Sequence, residues 1–257
     1  MLNLYKISKT ALLILILIAS YFIFTYNYFD GWWYSCIGTV LIVLISFFIF
    51  KSEFLKAAGL KFKLSAVPGI SVFLLFAVFC SLTMIEYISR RNGITILSRA
   101  DWSYVYHAVF YTMNEEIILG SIILYILIHR WKIHPLFSSV LLALCFSVLH
   151  FAVYKWIFSE KGILMPAALV TLFFAGILRN NLIIYAGHIG YSWALHFSWI
   201  IIMFGKSLRY SEQWGEVSEP ERFNIYLGSV EMALISSVLA VLSSMYGILK
   251  NSAQREQ

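Results

Sequence analysis

Five ionisable side chains stand inside stretches of otherwise apolar sequence: Glu115, Glu116, His150, His188 and His196. An ionisable group near the middle of a membrane helix carries an apparent insertion cost of roughly 2.5–3.5 kcal/mol. A functional role is therefore the first reading for each. Glu115 and Glu116 are adjacent, so on a helix they point about 100° apart and serve different partners. His150 follows Phe146 by four residues, and His188, Ser192 and His196 are also spaced by four. That last spacing predicts one polar stripe on one helix.

Carboxylates with histidines suit either a metal site or general acid–base chemistry. A catalytic zinc usually has three protein ligands and an open position. The His-Glu-x-x-His spacing is absent and no cysteine is near, so a metal is the less favoured reading. No Gly-x-Ser-x-Gly elbow supports a serine nucleophile. What remains is activation of water by a carboxylate and histidines, with no cofactor. The same groups also suit a proton relay in a transporter, although no inverted repeat or paired broken helices are visible.

These residues need elements to hold them, and composition names the solvent. Hydrophobic residues make up 61% of the 257-residue chain and charged residues 12%. Soluble domains run near 45–50% and 25%. The chain is expected to be an all-α, polytopic transmembrane bundle forming one membrane-embedded domain over 1–257. Spans of about 20 residues are predicted at 10–29, 32–50, 67–87, 103–128, 135–157, 162–179, 181–204 and 227–248. The triplet Arg179-Asn180-Asn181 is read as a tight turn between the sixth and seventh. The N-terminal run resembles a signal peptide but continues through bulky residues without a cleavage site, so it is read as a span.

The surroundings of the spans fit a bilayer. Trp32, Trp33, Trp102, Trp131 and Trp156 fall near span ends, as an aromatic belt does. The segment 51–64, with four lysines among Leu, Phe and Ala, reads equally as a solvated loop or an interfacial amphipathic helix. His107, Glu231, His129 and His134 are read as interfacial or solvated. Eleven Lys and Arg against eight place both termini in the cytoplasm, in a multi-pass protein of the cell (inner) membrane. The formal net charge of +6 is scattered between apolar runs, which argues against nucleic acid as a partner and for membrane lipid. Cys36, Cys80 and Cys145 all lie within apolar runs and read as small buried hydrophobes.

The same residues resemble the CAAX protease and bacteriocin-processing family of glutamic intramembrane endopeptidases. That family looks like Glu-Glu-x-x-x-Arg, then Phe-x-x-x-His, then His-x-x-x-Asn or Asp on successive helices. Glu115-Glu116 matches the start of the first, Phe146 and His150 match the second, and His196 best matches the third. The resemblance covers roughly 103–204. Gly120 stands where the family has Arg, and Ile200 where it has Asn. If His188 were the third-motif histidine, Ser192 would take the Asn position. Arg90, Arg91 or Arg179 would replace the missing Arg only by reaching in from a loop.

The resemblance implies hydrolysis of a membrane-anchored peptide or protein. The substrate would be a prenylated tail, a bacteriocin leader or a C-terminal sorting signal. It implies Glu115 as general base, His150 as the group that positions the water, and His196 as oxyanion stabiliser, with Glu116 orienting the site. A non-enzymatic immunity or assembly protein with the same fold is the alternative.

Overall fold

The computed structural model describes residues 32–96, 102–152, 164–205, 208–210 and 216–255, with isolated positions between 12 and 19. The predicted first span lies largely outside the described residues. So do Lys155, Trp156, Lys161 and Lys206.

The chain is an all-α polytopic bundle. Among the described residues, seven helices carry the fold: α1 (Trp32–Phe50), α2 (Val67–Arg91), α3 (Trp102–Arg130), α4 (Pro135–Ala152), α5 (Pro166–Ala186), α6 (Gly190–Met203) and α7 (Val230–Arg255). All but α6 are long and apolar enough to cross a membrane. The central element is α3, most of which is buried. The helices α2 and α7 lie at the periphery, with their apolar side chains turned outward as lipid-facing surfaces are. Packing runs α1 on α3, α2 on α6, α4 on α5, and α5 on α7.

One predicted boundary is wrong. The helix α5 does not stop at Arg179-Asn180-Asn181 but runs through the triplet and ends at Gly187, which takes the left-handed conformation (φ +73°). Each polar side chain of the triplet has a partner inside the bundle. Asn180 Nδ2 donates to the Ser139 carbonyl of α4 at 2.9 Å. Asn181 Nδ2 faces Ser243 Oγ at 2.9 Å and Ser244 Oγ at 3.0 Å on α7. Arg179 turns toward Glu116. A local hydropathy reading sees three polar residues and infers water, but here the polar groups solvate one another across helices. Arg179 thereby leaves the cytoplasmic side of the charge count and joins the core.

The turn 187–189 also separates His188 from the α6 stripe, since α6 starts at Gly190. Gly190 allows close approach: a Cβ there would clash with Ile70 Cδ1 of α2. Gly187 makes no such approach. The segment 51–64 docks into the bundle through buried Ala57 and Ala58. Ser121 Oγ donates to the Ala57 carbonyl, and Ile189 N to the Gly59 carbonyl. Its lysines and Phe62 remain exposed. At the opposite end a two-stranded pairing, β1 (Ile94–Ile96) with β2 (Leu208–Tyr210), ties two connections together.

Candidate functional site

The site begins with a local irregularity in α3. From Glu116 to Ile122 the helix takes π-type hydrogen bonding. Such widened turns cost regularity and occur often at functional positions. Here the change comes directly after Glu115, so the two carboxylates leave the helix on opposite sides of the switch. Both are buried, Glu115 at 2% exposure and Glu116 at 0%.

His196 of α6 stands between them. Its Nδ1 lies 3.0 Å from Glu116 Oε1, and its Nε2 lies 3.9 Å from Glu115 Oε2. A carboxylate only accepts, so Nδ1 carries the proton of the shorter contact. Ser192, one turn earlier on α6, sits beside the Glu116 carboxylate and donates its hydroxyl to the Ile189 carbonyl. The predicted stripe thus holds for Ser192 and His196.

His188 is elsewhere. It accepts from Gly190 N at 3.1 Å and stacks on Tyr191, with Phe62 beside it, and its burial pushes the imidazole below its ordinary pKa. It belongs to the turn that joins α5 to α6.

Arg179 completes the array. Its Nε lies 3.6 Å from Glu116 Oε1, and its guanidinium sits 4.5 Å from the centroid of the Phe146 ring. The cation arrives from the middle of α5, not from a loop. Gly120 lets α5 approach closely: a Cβ at that position would lie 2.8 Å from Ile183 Cδ1, with Arg179 Nη2 at 3.4 Å and Glu116 Oε2 at 3.5 Å in ordinary contact. Sequence reasoning named Arg179 as one of three candidates but placed it in a loop, because the ion pair joins two helices 63 positions apart in the chain. The available signal was Gly120 itself, a residue without a side chain one turn beyond a buried carboxylate.

His150 approaches from the end of α4. Its Nδ1 lies 2.9 Å from the Phe146 carbonyl, which only accepts, so Nδ1–H donates and Nε2 is left for other partners. The Phe146 ring packs against the imidazole at 4.4 Å. Phe146 therefore supports both His150 and Arg179.

Glu115, His150, Arg179, Ser192 and His196 all line one cavity of about 1310 Å³. Glu116 lies behind this wall. Along α3 the cavity continues past Tyr111 and His107 to Tyr104 and a polar mouth at Glu216, Ser218, Glu219 and Arg222. His107 is half-buried, bonded to Ser35 Oγ at 3.1 Å and stacked on Tyr111, so it forms part of the cavity wall as well as lying toward one end of α3. Ile200 also lines the cavity.

No protein-family profile, curated protein or solved structure matches this chain. The chemistry of the site has to be read from its own geometry.

Among the described residues, no three His, Cys, Asp or Glu side chains are grouped as metal ligands. The polar groups divide by exposure to the cavity. Glu115 and His150 line it and keep hydrogen-bonding capacity: Glu115 Oε2 is buried and makes no hydrogen bond within the described residues, and His150 retains Nε2. Glu116 and Arg179 neutralise each other and fix His196 through its Nδ1. A buried ion pair of this kind offers little stability over apolar packing, but removing one partner strands the other charge.

Proposed function

We propose that this chain is an intramembrane endopeptidase of the glutamic type, similar to the CAAX protease and bacteriocin-processing family. The observation that supports the reading most is the His196 imidazole held between Glu115 and Glu116 at the wall of a cavity that His150 also lines.

In this reading Glu115 removes a proton from a water molecule, and His150 Nε2 holds that water toward the carbonyl carbon of the scissile bond. The C–O bond forms, and the carbonyl electron pair moves onto oxygen. His196, when its Nε2 is protonated, donates to that oxyanion. Its orientation is set in advance by Glu116 and Arg179, so little reorganisation accompanies the reaction. When the C–N bond breaks, the proton taken by Glu115 goes to the leaving amine. The substrate is a membrane-anchored peptide or protein, and the cell membrane is the expected location, with both termini in the cytoplasm.

The test is cleavage of candidate membrane-anchored peptides by the purified, reconstituted chain. His150→Ala and His196→Ala are expected to remove cleavage while the protein still inserts and elutes as the wild type does. Full activity in both variants contradicts the reading.

One observation favours the non-enzymatic alternative. Ile200 lines the cavity where the family resemblance places an Asn, and it offers no hydrogen-bonding group. That alternative predicts biological activity untouched by any of these substitutions.

A further inference from the structure

The cavity has two kinds of boundary. Its mouth at Glu216, Glu219 and Arg222 is charged, and its flank between α2 and α7 is apolar. Phe76, Phe79 and Cys80 of α2 and Met232, Ile235 and Leu239 of α7 line this flank. Several of them carry large exposed surfaces, Phe79 at 67% and Leu239 at 40%, on the two least buried membrane-length helices among the described residues. A residue that faces both the cavity and the outside marks an opening. In a bilayer that opening meets lipid.

The packing of the two helices accounts for the gap. The helix α2 rests on α6 and α7 rests on α5, so each wall has its own support. Polar bridges join the walls at one end. Arg91, the last residue of α2, forms an ion pair with Glu231, the second residue of α7, and Ser89 Oγ meets Tyr226 Oη at 2.7 Å just before α7 begins. Glu231 is thus more than an interfacial residue, because it ties together the two helices that flank the opening.

We propose that the space between α2 and α7 is a lateral slot that admits the apolar, helical membrane anchor of the substrate from the bilayer to the Glu115–His196 site, with the Arg91–Glu231 pair closing one end. This rests on the endopeptidase reading for the identity of the anchor as substrate. The choice of occupant follows from the walls. An apolar helix brought through the charged mouth would leave lipid and meet Glu216, Glu219 and Arg222, whereas through the slot it exchanges lipid contacts for Phe and Leu contacts. The mouth is left to water. The slot is continuous with the candidate site, so an anchor seated there has its adjoining peptide at Glu115.

The experiment reads occupancy and not cleavage. In a Glu115→Gln chain with Cys36→Ala and Cys145→Ala, a nitroxide is attached to the native Cys80 and the protein is placed in phosphatidylcholine–phosphatidylglycerol vesicles. The label is expected to collide with lipid-soluble oxygen in preference to a water-soluble nickel chelate. Adding an excess of a single-span Leu–Ala peptide of about 20 residues, long enough to cross the bilayer, is expected to remove that oxygen accessibility. A label at Phe137→Cys, on the outer face of α4, is expected to be unaffected. Glu231→Ala is expected to raise oxygen accessibility at Cys80. A label at Leu239→Cys gives a second report if labelling at Cys80 disturbs the fold. Access by the nickel chelate alone, or an unchanged signal on adding peptide at both slot positions, overturns the slot. Because nothing is cleaved, failure of the endopeptidase reading leaves this result unaffected.

Discussion

Arg179 of α5 reaches Glu116 of α3 by passing beside Gly120, where Ile183 Cδ1 lies closest, 2.8 Å from the place of a Cβ. Arg179 Nη2 lies 3.4 Å from the position of a Gly120 Cβ, while its Nε lies 3.6 Å from Glu116 Oε1. The cation that partners the buried carboxylate thus comes from α5, across the helix interface, and not from the next turn of α3. If the partnership matters and not the helix of origin, the charge can be moved. Arg179→Ala is expected to lower stability by roughly 3–5 kcal/mol, the usual cost of stranding a buried charge, and to remove activity. Gly120→Arg combined with Arg179→Ala is expected to recover part of both. Thermal unfolding in detergent and peptide cleavage provide the measurements. No recovery in the double variant argues that Arg179 is needed for packing on Phe146 and not for its charge.

In the proposed mechanism the two adjacent glutamates have different roles. Glu115→Gln keeps shape and removes the base, so cleavage is expected to fall about 10²–10⁴-fold, the usual contribution of a general base, with little change in unfolding temperature. Glu116→Gln leaves Arg179 without a counter-charge and weakens the contact that orients His196. It is expected to lower the unfolding temperature as well as the activity. Equal thermal stability of the two variants contradicts this division.

The remaining polar residues of the α5 triplet are structural in this account. Asn181→Ala removes the contacts to Ser243 and Ser244 that join α5 to α7. At about 0.6 kcal/mol for a typical interhelical hydrogen bond, the expected loss is about 1 kcal/mol, with cleavage retained. A loss of activity at unchanged stability would assign Asn181 to the site instead.

Sidedness follows from charge. Lys51, Lys56, Lys61 and Lys63 lie at one end of the bundle, and the cavity mouth at Glu216–Arg222 lies at the other. With lysines retained on the cytoplasmic side, the mouth opens on the opposite face. In a chain lacking its native cysteines, Glu219→Cys is expected to react with a membrane-impermeant maleimide in intact cells, and Lys61→Cys only after lysis. The reverse pattern inverts the orientation.

The legibility of this protein in its sequence was uneven for physical reasons. Six membrane-length helices and the separation of His150, Glu115 and His196 onto different helices follow from hydropathy and spacing, because lipid penalises polar groups wherever they stand, whereas the span predicted at 181–204 is the 14-residue α6. The end of α5 was not legible. Arg179, Asn180 and Asn181 carry the local signature of a turn, and only the partners on α3, α4 and α7 explain why they remain helical. His188 was misplaced for a related reason: spacing by four defines a stripe only within one helix, and Gly187 ends α5 just before it. The relation of Gly120 to α5 belongs to the tertiary structure, since an empty position on one helix gains meaning from the side chains, here Ile183 and then Arg179, that approach it from another.

The proposed activation of water by Glu115 for cleavage of a membrane-anchored peptide is tested most directly by mass spectrometry of cleavage in H₂¹⁸O, with the wild type and the Glu115→Gln variant reconstituted side by side. The wild type is expected to give a new C-terminal carboxylate carrying ¹⁸O, and Glu115→Gln a product yield reduced to near background. Labelled product formed by Glu115→Gln at the wild-type rate would contradict it.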